Sequence, residues 1–216
     1  MNRIFFTADL HFGHRNILRH ESNRPFAAEG LIKEHDEWLL NLWKSTADKK
    51  DDIYILGDLT FYKNDDARKL LEKLPGRKHL ITGNHDGSVK TYSSYFASIV
   101  PLRTIVIKPT RCPFLERDLR LVLCHYPLIT WNYKPYGSLM LHGHCHGKLD
   151  EYNSKSPDLR FDVGIDGSLS RQLGERSIDY DHALISIEDI YEAAVQKAGS
   201  NDFLSYAMQN CRQEVR

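Results

Sequence analysis

Five short polar motifs in this 216-residue chain carry side chains that bind metals or transfer protons. In chain order they are Asp9-Leu10-His11, Gly57-Asp58, Gly83-Asn84-His85-Asp86, His125 and Gly143-His144-Cys145-His146. Carboxylate, amide and imidazole groups in this mixture suit borderline divalent ions better than Ca²⁺ or Mg²⁺, which prefer oxygen alone. The motifs together therefore predict a centre of two divalent transition-metal ions for phosphate-ester hydrolysis. Mn is the first candidate, with Fe, Co, Ni or Zn as alternatives.

The first two motifs offer carboxylates at the ends of apolar segments. Asp9 and His11 lie two residues apart, so on an extended strand end both side chains would point to one side and bind one ion. Asp58 could bridge two ions with its two oxygens, and Gly57 would let the backbone approach closely. Each motif alone also fits a polar strand end or an ordinary turn.

The tetrapeptide Gly83–Asp86 contributes two different roles. Asn84 offers a neutral amide oxygen, which lets an ion keep more of its positive charge for a substrate. His85 would point away from that ion, so we predict that it is the catalytic residue that contacts the phosphoryl oxygen or leaving group. Asp86 would orient His85 or, in the preferred interpretation, complete the turn.

Three further histidines complete the predicted ligand set. His125 ends an apolar segment, where a lone histidine is also a common structural residue. His144 and His146 on an extended segment would project both imidazoles to one side. A glycine-rich turn with fortuitous histidines is the alternative, and His142 is expected to support the site without binding an ion.

Strands and helices alternate in the first half of the chain, which predicts parallel βαβ units. The predicted strands cover 3–8, 51–56 and 79–82, and the predicted helices cover about 28–46 and 64–73, the latter capped by Asn64 or Asp65. Functional residues at the carboxyl ends of such strands fit the general rule for open α/β sheets.

Strand-like segments dominate the second half and predict a second, more antiparallel sheet packed on the first. These segments cover 99–109, 119–124, 139–142, 160–163 and 183–187. Ser186 and Asp189 resemble a capping box that opens a helix at about 188–198, and a last helix follows at about 202–212. We expect one α/β domain over residues 1–216.

Composition excludes several classes of protein. The formal net charge is zero, so a broad basic surface for nucleic acid is absent. The four cysteines include no Cys-x-x-Cys pair, which argues against a disulfide framework or a structural zinc site and favours a reducing compartment. No apolar run approaches the roughly 20 residues that a membrane span needs. With no recognisable signal peptide, a cytoplasmic location without membrane partners is expected.

The ordered motifs resemble those of the calcineurin-like metallophosphoesterases over residues 9–146, about two thirds of the chain. The resemblance implies two mixed β-sheets packed as a sandwich flanked by helices, with the site at one edge. It implies one ion held by Asp9, His11, Asp58 and His146, and a second held by Asp58, Asn84, His125 and His144, with His85 as the catalytic histidine. The segment from Asp9 to His14 further resembles small bacterial and phage members, and His14 is a candidate substrate contact.

The predicted reaction is attack of a metal-bridging hydroxide on a phosphate ester, with phosphodiesters, nucleotides or a small nucleic acid as candidate substrates. A phosphomonoesterase of the same fold and a non-catalytic metal-binding scaffold are the alternatives. Protein phosphatases of this superfamily carry an arginine soon after the bridging aspartate, whereas Leu59 to Lys63 contain none, which argues against a phosphoprotein substrate. The aromatic segment Trp131–Tyr136 is either a base-stacking platform or a loop packed on the sandwich.

Overall fold

A computed structural model of the protein describes residues 2–28, 30–170 and 183–211. The strands are β1 (Ile4–Thr7), β2 (Asp52–Ile55), β3 (Arg77–Ile81), β4 (Phe96–Val100), β5 (Leu102–Ile107), β6 (Leu119–Cys124), β7 (Leu139–His142), β8 (Arg160–Asp162) and β9 (Ile185–Ser186). The helices are α1 (Ile17–His20), α2 (Ile32–Thr46), α3 (Asn64–Lys73), α4 (Asp150–Lys155), α5 (Ile187–Ala198) and α6 (Phe203–Cys211). The predicted architecture of two mixed sheets flanked by helices is confirmed.

The first sheet has the strand order β4-β3-β2-β1-β9. Strands β1, β2 and β3 are parallel, as the alternation of strands and helices predicted; β4 adds a fourth parallel strand that was not predicted there, and β9 is antiparallel to β1. Successive residues of β1 face opposite sides: Ile4 and Phe6 pack towards the second sheet, and Phe5 packs with Leu39 and Trp43 of α2. Both faces of the sheet are therefore buried, which explains why β1 and the carboxyl-terminal residues of β2 and β3 are apolar on both sides.

The second sheet has the order β5-β6-β7-β8 and is more antiparallel than the first, as predicted, because half of its paired residues belong to the antiparallel β5–β6 pair. Only the β5–β6 pair is antiparallel, whereas β6–β7 and β7–β8 are parallel. The connections 125–138 and 143–159 are long enough for parallel crossovers, so strand-like segments alone did not determine direction. The predicted strand 99–109 is divided between the sheets as β4 and β5, and β9 belongs to the first sheet rather than the second.

The helix predictions agree with the structure except at some ends. Ser186 caps α5 in a capping box with Asp189, as predicted. The prediction that Asn64 or Asp65 caps α3 was wrong, because the capping position is Lys63 and no side chain bonds the helix end there. Helix α2 begins at Ile32, later than predicted. The last residue predicted for α6, at 212, lies outside the described residues.

The described cysteine side chains behave as small apolar residues. Cys112 and Cys124 are buried and Cys145 is half-buried, and none of these three forms a disulfide. In the ranges that the structure describes, no helix is both long and apolar enough to cross a membrane.

Asp52, the buried first residue of β2, links the amino ends of β2 and β3 through ion pairs. Its carboxylate pairs with Arg77, with Arg111 and with His79 Nε2 at 3.2 Å. Burial alone would raise the pKa of Asp52, but hydrogen bonds from the two arginines and His79 outweigh it and lower the pKa to about 2. The folded-state pKa therefore lies below the unfolded value of about 3.9, so the stabilisation is complete above that value and is lost as pH falls towards 2.

We expect the free energy of unfolding to fall as the pH is lowered from about 6 to about 2.5. The fall should be about 2 kcal/mol larger for the wild type than for Asp52→Asn. Urea denaturation at the two pH values measures this difference. Asp66→Asn is the matched control, because the Asp66 carboxylate is exposed and pairs with the exposed Lys69. Equal drops for the wild type and Asp52→Asn would contradict the prediction.

Candidate metal centre

The seven predicted ligands lie together at the carboxyl ends of strands from both sheets. Asp9, Asp58 and Asn84 follow β1, β2 and β3 of the first sheet, as the rule for parallel strands leads one to expect. His11 also follows β1, and the other three follow strands of the second sheet: His125 follows β6, and His144 and His146 follow β7. The predicted convergence of the motifs is therefore present in the fold.

The loop backbone at these strand ends differs from the extended geometry that the sequence predicted. Of the eight non-glycine residues with positive φ in the described ranges, five are predicted ligands: Asp9, His11, Asp58, His144 and His146. Backbone hydrogen bonds from Asp9 N to Gly57 O (3.1 Å) and from His11 N to Asp58 O (3.0 Å) hold two of these loops together. Each left-handed residue costs of order 1–3 kcal/mol, which such surrounding contacts must offset.

His144 and His146 consequently do not point to the same side, and that prediction was wrong. The Nδ1 atom of His144 lies 3.2 Å from His125 Nε2, whereas His146 Nε2 lies 4.0 Å from Asp9 Oδ1. The reason is that both residues have left-handed backbone in a turn, where the side-chain alternation of a strand does not apply.

Asp9, His11 and His146 form one half of the site. His11 Nε2 lies 4.0 Å from Asp9 Oδ1, the same distance at which His146 Nε2 approaches that oxygen. Asp9 Oδ2 accepts a hydrogen bond from His144 N at 2.8 Å, but Asp9 Oδ1 and His11 Nε2 are buried without a hydrogen-bond partner. Buried acceptors of this kind fit a cation as their missing partner.

Asn84, His125 and His144 form the other half. The Nδ1 atom of His125 donates to the Leu56 carbonyl at 2.8 Å, so its Nε2 atom carries a lone pair. That lone pair lies 3.0 Å from the amide oxygen of Asn84, which is also an acceptor. Two acceptors at this distance, with His144 Nδ1 3.2 Å from the same His125 nitrogen, fit a shared cation.

Asp58 lies between the two halves. Its Oδ2 atom lies 3.8 Å from His11 Nε2 and 3.6 Å from His125 Nε2, while Oδ1 accepts a hydrogen bond from His85 N at 2.9 Å. Gly83 packs directly against this carboxylate, because a Cβ atom there would lie 2.3 Å from Asp58 Oδ1. One carboxylate is thus in reach of both halves.

Asp86 connects the loops that follow β2 and β3 through hydrogen bonds. Its buried carboxylate accepts hydrogen bonds from Gly83 N at 2.8 Å, from Asp58 N at 3.0 Å and from Leu59 N at 3.4 Å. The preferred interpretation of Asp86, a residue that completes the turn, agrees with these contacts. The contacts also extend that role, since Asp86 joins the loop after β3 to the loop after β2.

The electrostatics of the described groups favour a bound cation. Burial, followed by the nearby carboxylates of Asp162 and Asp58, raises the pKa of Asp9 well above its usual value. Burial, followed by the Arg24 guanidinium and neighbouring histidines, lowers the pKa of His11 to about 2, and burial with His125 lowers the pKa of His144. These two histidines are therefore neutral, as ligands must be, and a cation would relieve the repulsion between carboxylates.

His85 and His14 line the edge of the site around Phe61. The His85 ring is 44% exposed, and its Nε2 atom lies 4.0 Å from Asp58 Oδ2. His14 stacks on Phe61 with ring centroids 3.8 Å apart, and the His85 and Phe61 centroids are 4.9 Å apart. His14 is also close to His11, with 5.4 Å between centroids. Phe61 was not predicted, since an apolar residue in this segment carries no chemical signal.

Arg24 and Asp166 are further residues at the site that the sequence did not indicate. Asp166 Oδ2 accepts a hydrogen bond from His146 Nδ1 at 2.6 Å, and Arg24 pairs with the same carboxylate. Burial would raise the pKa of Asp166, but Arg24 and the bond from His146 hold it well below its usual range. His142 instead bonds the Gly143 carbonyl and lies outside the ligand cluster, as expected.

The aromatic segment Trp131–Tyr136 packs on the outer face of the second sheet. Trp131 is buried with Val122 and Met140, and its Nε1 donates to Ser138. These contacts favour the packing interpretation over a base-stacking platform for Trp131. Tyr126 is the exposed aromatic residue beside the site, and its ring contacts those of His125 and His144 at 5.0 and 4.7 Å between centroids.

Comparisons with known proteins agree with this geometry. The profile of the calcineurin-like phosphoesterases matches residues 2–161, which include all five motifs. The gene 66 protein of Mycobacterium phage D29 is 28% identical over 186 residues, covering 77% of this chain and 89% of the phage protein. Protein MJ1445 of Methanocaldococcus jannaschii is 31% identical over 160 residues, covering 73% of this chain and 77% of the archaeal protein. The crystal structure of AQ665 from Aquifex aeolicus shares the fold, with a TM-score of 0.61 at 23% identity over 89% of this chain and 100% of that chain.

Proposed function

Because this chain belongs to the calcineurin-like phosphoesterase family and is therefore a metal-dependent hydrolase of phosphoric esters, we propose that it is a two-metal phosphodiesterase that accepts nucleotides or related diesters. The observation that carries the proposal is the position of Asp58 Oδ2 between the two half-sites, 3.8 Å from His11 Nε2 of one and 3.6 Å from His125 Nε2 of the other. Asp9, His11 and His146 would hold one ion, Asn84, His125 and His144 the other, and Asp58 both. Mn²⁺ is our first candidate for each half-site.

Two bound divalent ions lower the pKa of a water molecule and neutralise charge on the attacking and leaving oxygens of an in-line displacement. The chain supplies the remaining groups. His85 stands at the solvent side of Asp58, where its exposed ring can donate a proton or hydrogen bond to the leaving oxygen. Its backbone N–H bonds Asp58 Oδ1, so the carboxylate and the catalytic histidine are held at a constant separation.

Two exposed aromatic groups on different sides of the site favour a diester substrate. His85 lies against Phe61 beside the first half, and Tyr126 lies against His125 and His144 beside the second half. Tyr126 and the His85 side chain are both 44% exposed. A phosphodiester carries two substituents, so each of these rings can contact one of them, whereas a monoester uses only one.

We expect the Mn²⁺-loaded protein to hydrolyse bis(p-nitrophenyl) phosphate with a kcat/KM at least about tenfold above that for p-nitrophenyl phosphate, a difference of about 1.4 kcal/mol in transition-state binding. Release of p-nitrophenol over a series of substrate concentrations measures both values. Controls are Mn²⁺ without protein and protein dialysed against EDTA. A preference for the monoester would replace the proposal with the alternative of a phosphomonoesterase.

A further inference from the structure

A buried ion pair links two distant parts of the chain beside one half of the metal centre. Arg24 follows α1, and Asp166 lies 142 residues further on, after β8. Arg24 donates from Nε to Asp166 Oδ1 at 2.8 Å and from Nη2 to Asp166 Oδ2 at 2.6 Å. The Arg24 side chain is 3% exposed and that of Asp166 is 12% exposed. Such a bidentate ion pair holds both side chains in one orientation.

The same pair contacts two of the proposed ligands of that half. Asp166 Oδ2 accepts a hydrogen bond from His146 Nδ1 at 2.6 Å, which leaves the Nε2 lone pair facing Asp9. Arg24 also donates to the backbone carbonyls of Asp9, at 2.6 Å, and Leu10, at 3.1 Å. The pair therefore determines both the orientation of the His146 ring and the position of the loop that carries Asp9.

The other half lacks an equivalent charged support at His125, whose Nδ1 donates to the neutral carbonyl of Leu56. A carboxylate that accepts the N–H of an imidazole makes that imidazole a more basic ligand than a carbonyl does. His146 in one half and His125 in the other therefore differ in how their rings are oriented and polarised.

We propose that Arg24 and Asp166 are positioning residues that set the metal affinity of the Asp9–His11–His146 half and leave the other half unaffected. The proposal rests on the proposed two-metal function and adds to it a difference between the two ions. Neither residue is assigned as a ligand. Both act through His146 and through the Asp9 loop.

A different interpretation of the same cluster is a separate cation held by Glu21, His146 and Asp166, whose ligand atoms lie within 4.8 Å of one another. The contacts argue against it. Both oxygens of Asp166 already accept hydrogen bonds from Arg24, and Glu21 Oε1 pairs with Lys148 Nζ at 3.2 Å. A guanidinium thus already supplies the positive charge that the carboxylate needs.

The test is Mn²⁺ binding to metal-free protein, measured by calorimetry and by metal content after gel filtration. We expect two ions in the wild type, and in Asp166→Asn an affinity about 10–100-fold weaker for one ion only. Arg24→Lys keeps the charge but loses the bidentate geometry, so it should weaken the affinity for the same ion by a similar factor. Glu21→Gln is the matched control and should bind both ions as the wild type does.

The outcomes separate this inference from the proposed function. A wild type that binds fewer than two Mn²⁺ ions would overturn the two-metal function itself. Two ions of unchanged affinity in both Asp166→Asn and Arg24→Lys would overturn the positioning role alone. A loss in Glu21→Gln equal to that in Asp166→Asn would support the separate cation and contradict our proposal. If Asp166→Asn does not fold, as judged by circular dichroism, Arg24→Lys decides the question.

Discussion

Replacement of Asp58 by asparagine is expected to lower kcat/KM by at least about 10³-fold, because a shared metal ligand contributes several kcal/mol of charge stabilisation. The substitution would keep the shape of the side chain but remove its negative charge from between His11 and His125, whose Nε2 atoms lie 3.8 and 3.6 Å from Asp58 Oδ2. Both half-sites would lose affinity together. Hydrolysis of bis(p-nitrophenyl) phosphate and metal content by mass spectrometry measure the two effects.

The metal-free form of Asp58→Asn provides the check on folding. The charge of Asp58 contributes to the raised pKa of Asp9, so its removal relieves repulsion between buried carboxylates. We expect the metal-free variant to be at least as resistant to urea as metal-free wild type, so a loss of activity could not be ascribed to unfolding. Asp65→Asn, which changes an exposed residue of α3, is the control for the effects of preparing a variant protein. Two retained ions and less than about a tenfold loss would refute the bridging role.

Replacement of His85 by alanine is expected to lower kcat by about 10²–10⁴-fold, the usual contribution of a general acid, while both ions stay bound. The ring is exposed, and its Nε2 atom lies 4.0 Å from Asp58 Oδ2. Its backbone bond to Asp58 survives the change, so the carboxylate keeps its position. Metal content and steady-state kinetics on the same preparation are the measurements.

His14→Ala is the matched comparison for His85→Ala. His14 stacks on the same Phe61 ring and lies 6.3 Å from His85 between centroids, but as a substrate contact it should change KM more than kcat. Loss of bound metal in His85→Ala would identify His85 as a ligand and remove it from the catalytic role. An unchanged kcat with two bound ions would show that another group protonates the leaving oxygen.

The positions of the motifs were largely predictable from the sequence. Asp9, Asp58 and Asn84 follow apolar segments separated by helices, and parallel strands built in this way bring their carboxyl ends to one edge. The helix periodicity of α2 and the capping box at Ser186 are likewise local properties, since they depend on residues within a few positions of each other. Local patterns therefore located these elements and the functional residues that follow them.

The direction of the strands in the second sheet was not predictable in this way. An apolar segment such as β7 can pair in either direction, and the choice depends on how the connection 125–138 packs rather than on the strand itself. The left-handed backbone at His144 and His146 is also set by neighbouring loops, so the side chains turn to opposite halves of the site although their spacing suggested one.

The contacts that position the proposed ligands belong to the tertiary structure alone. Arg24 and Asp166 meet across 142 residues of sequence, and Asp86 reaches the backbone of Asp58 across 28. Neither contact leaves a local pattern, because an arginine after a short helix and an aspartate in a loop are ordinary surface residues until the fold buries them against each other. The local sequence indicated the kind of chemistry and the strand ends that carry it. Only the folded chain decided which charges face which, and so how the two halves of the centre differ.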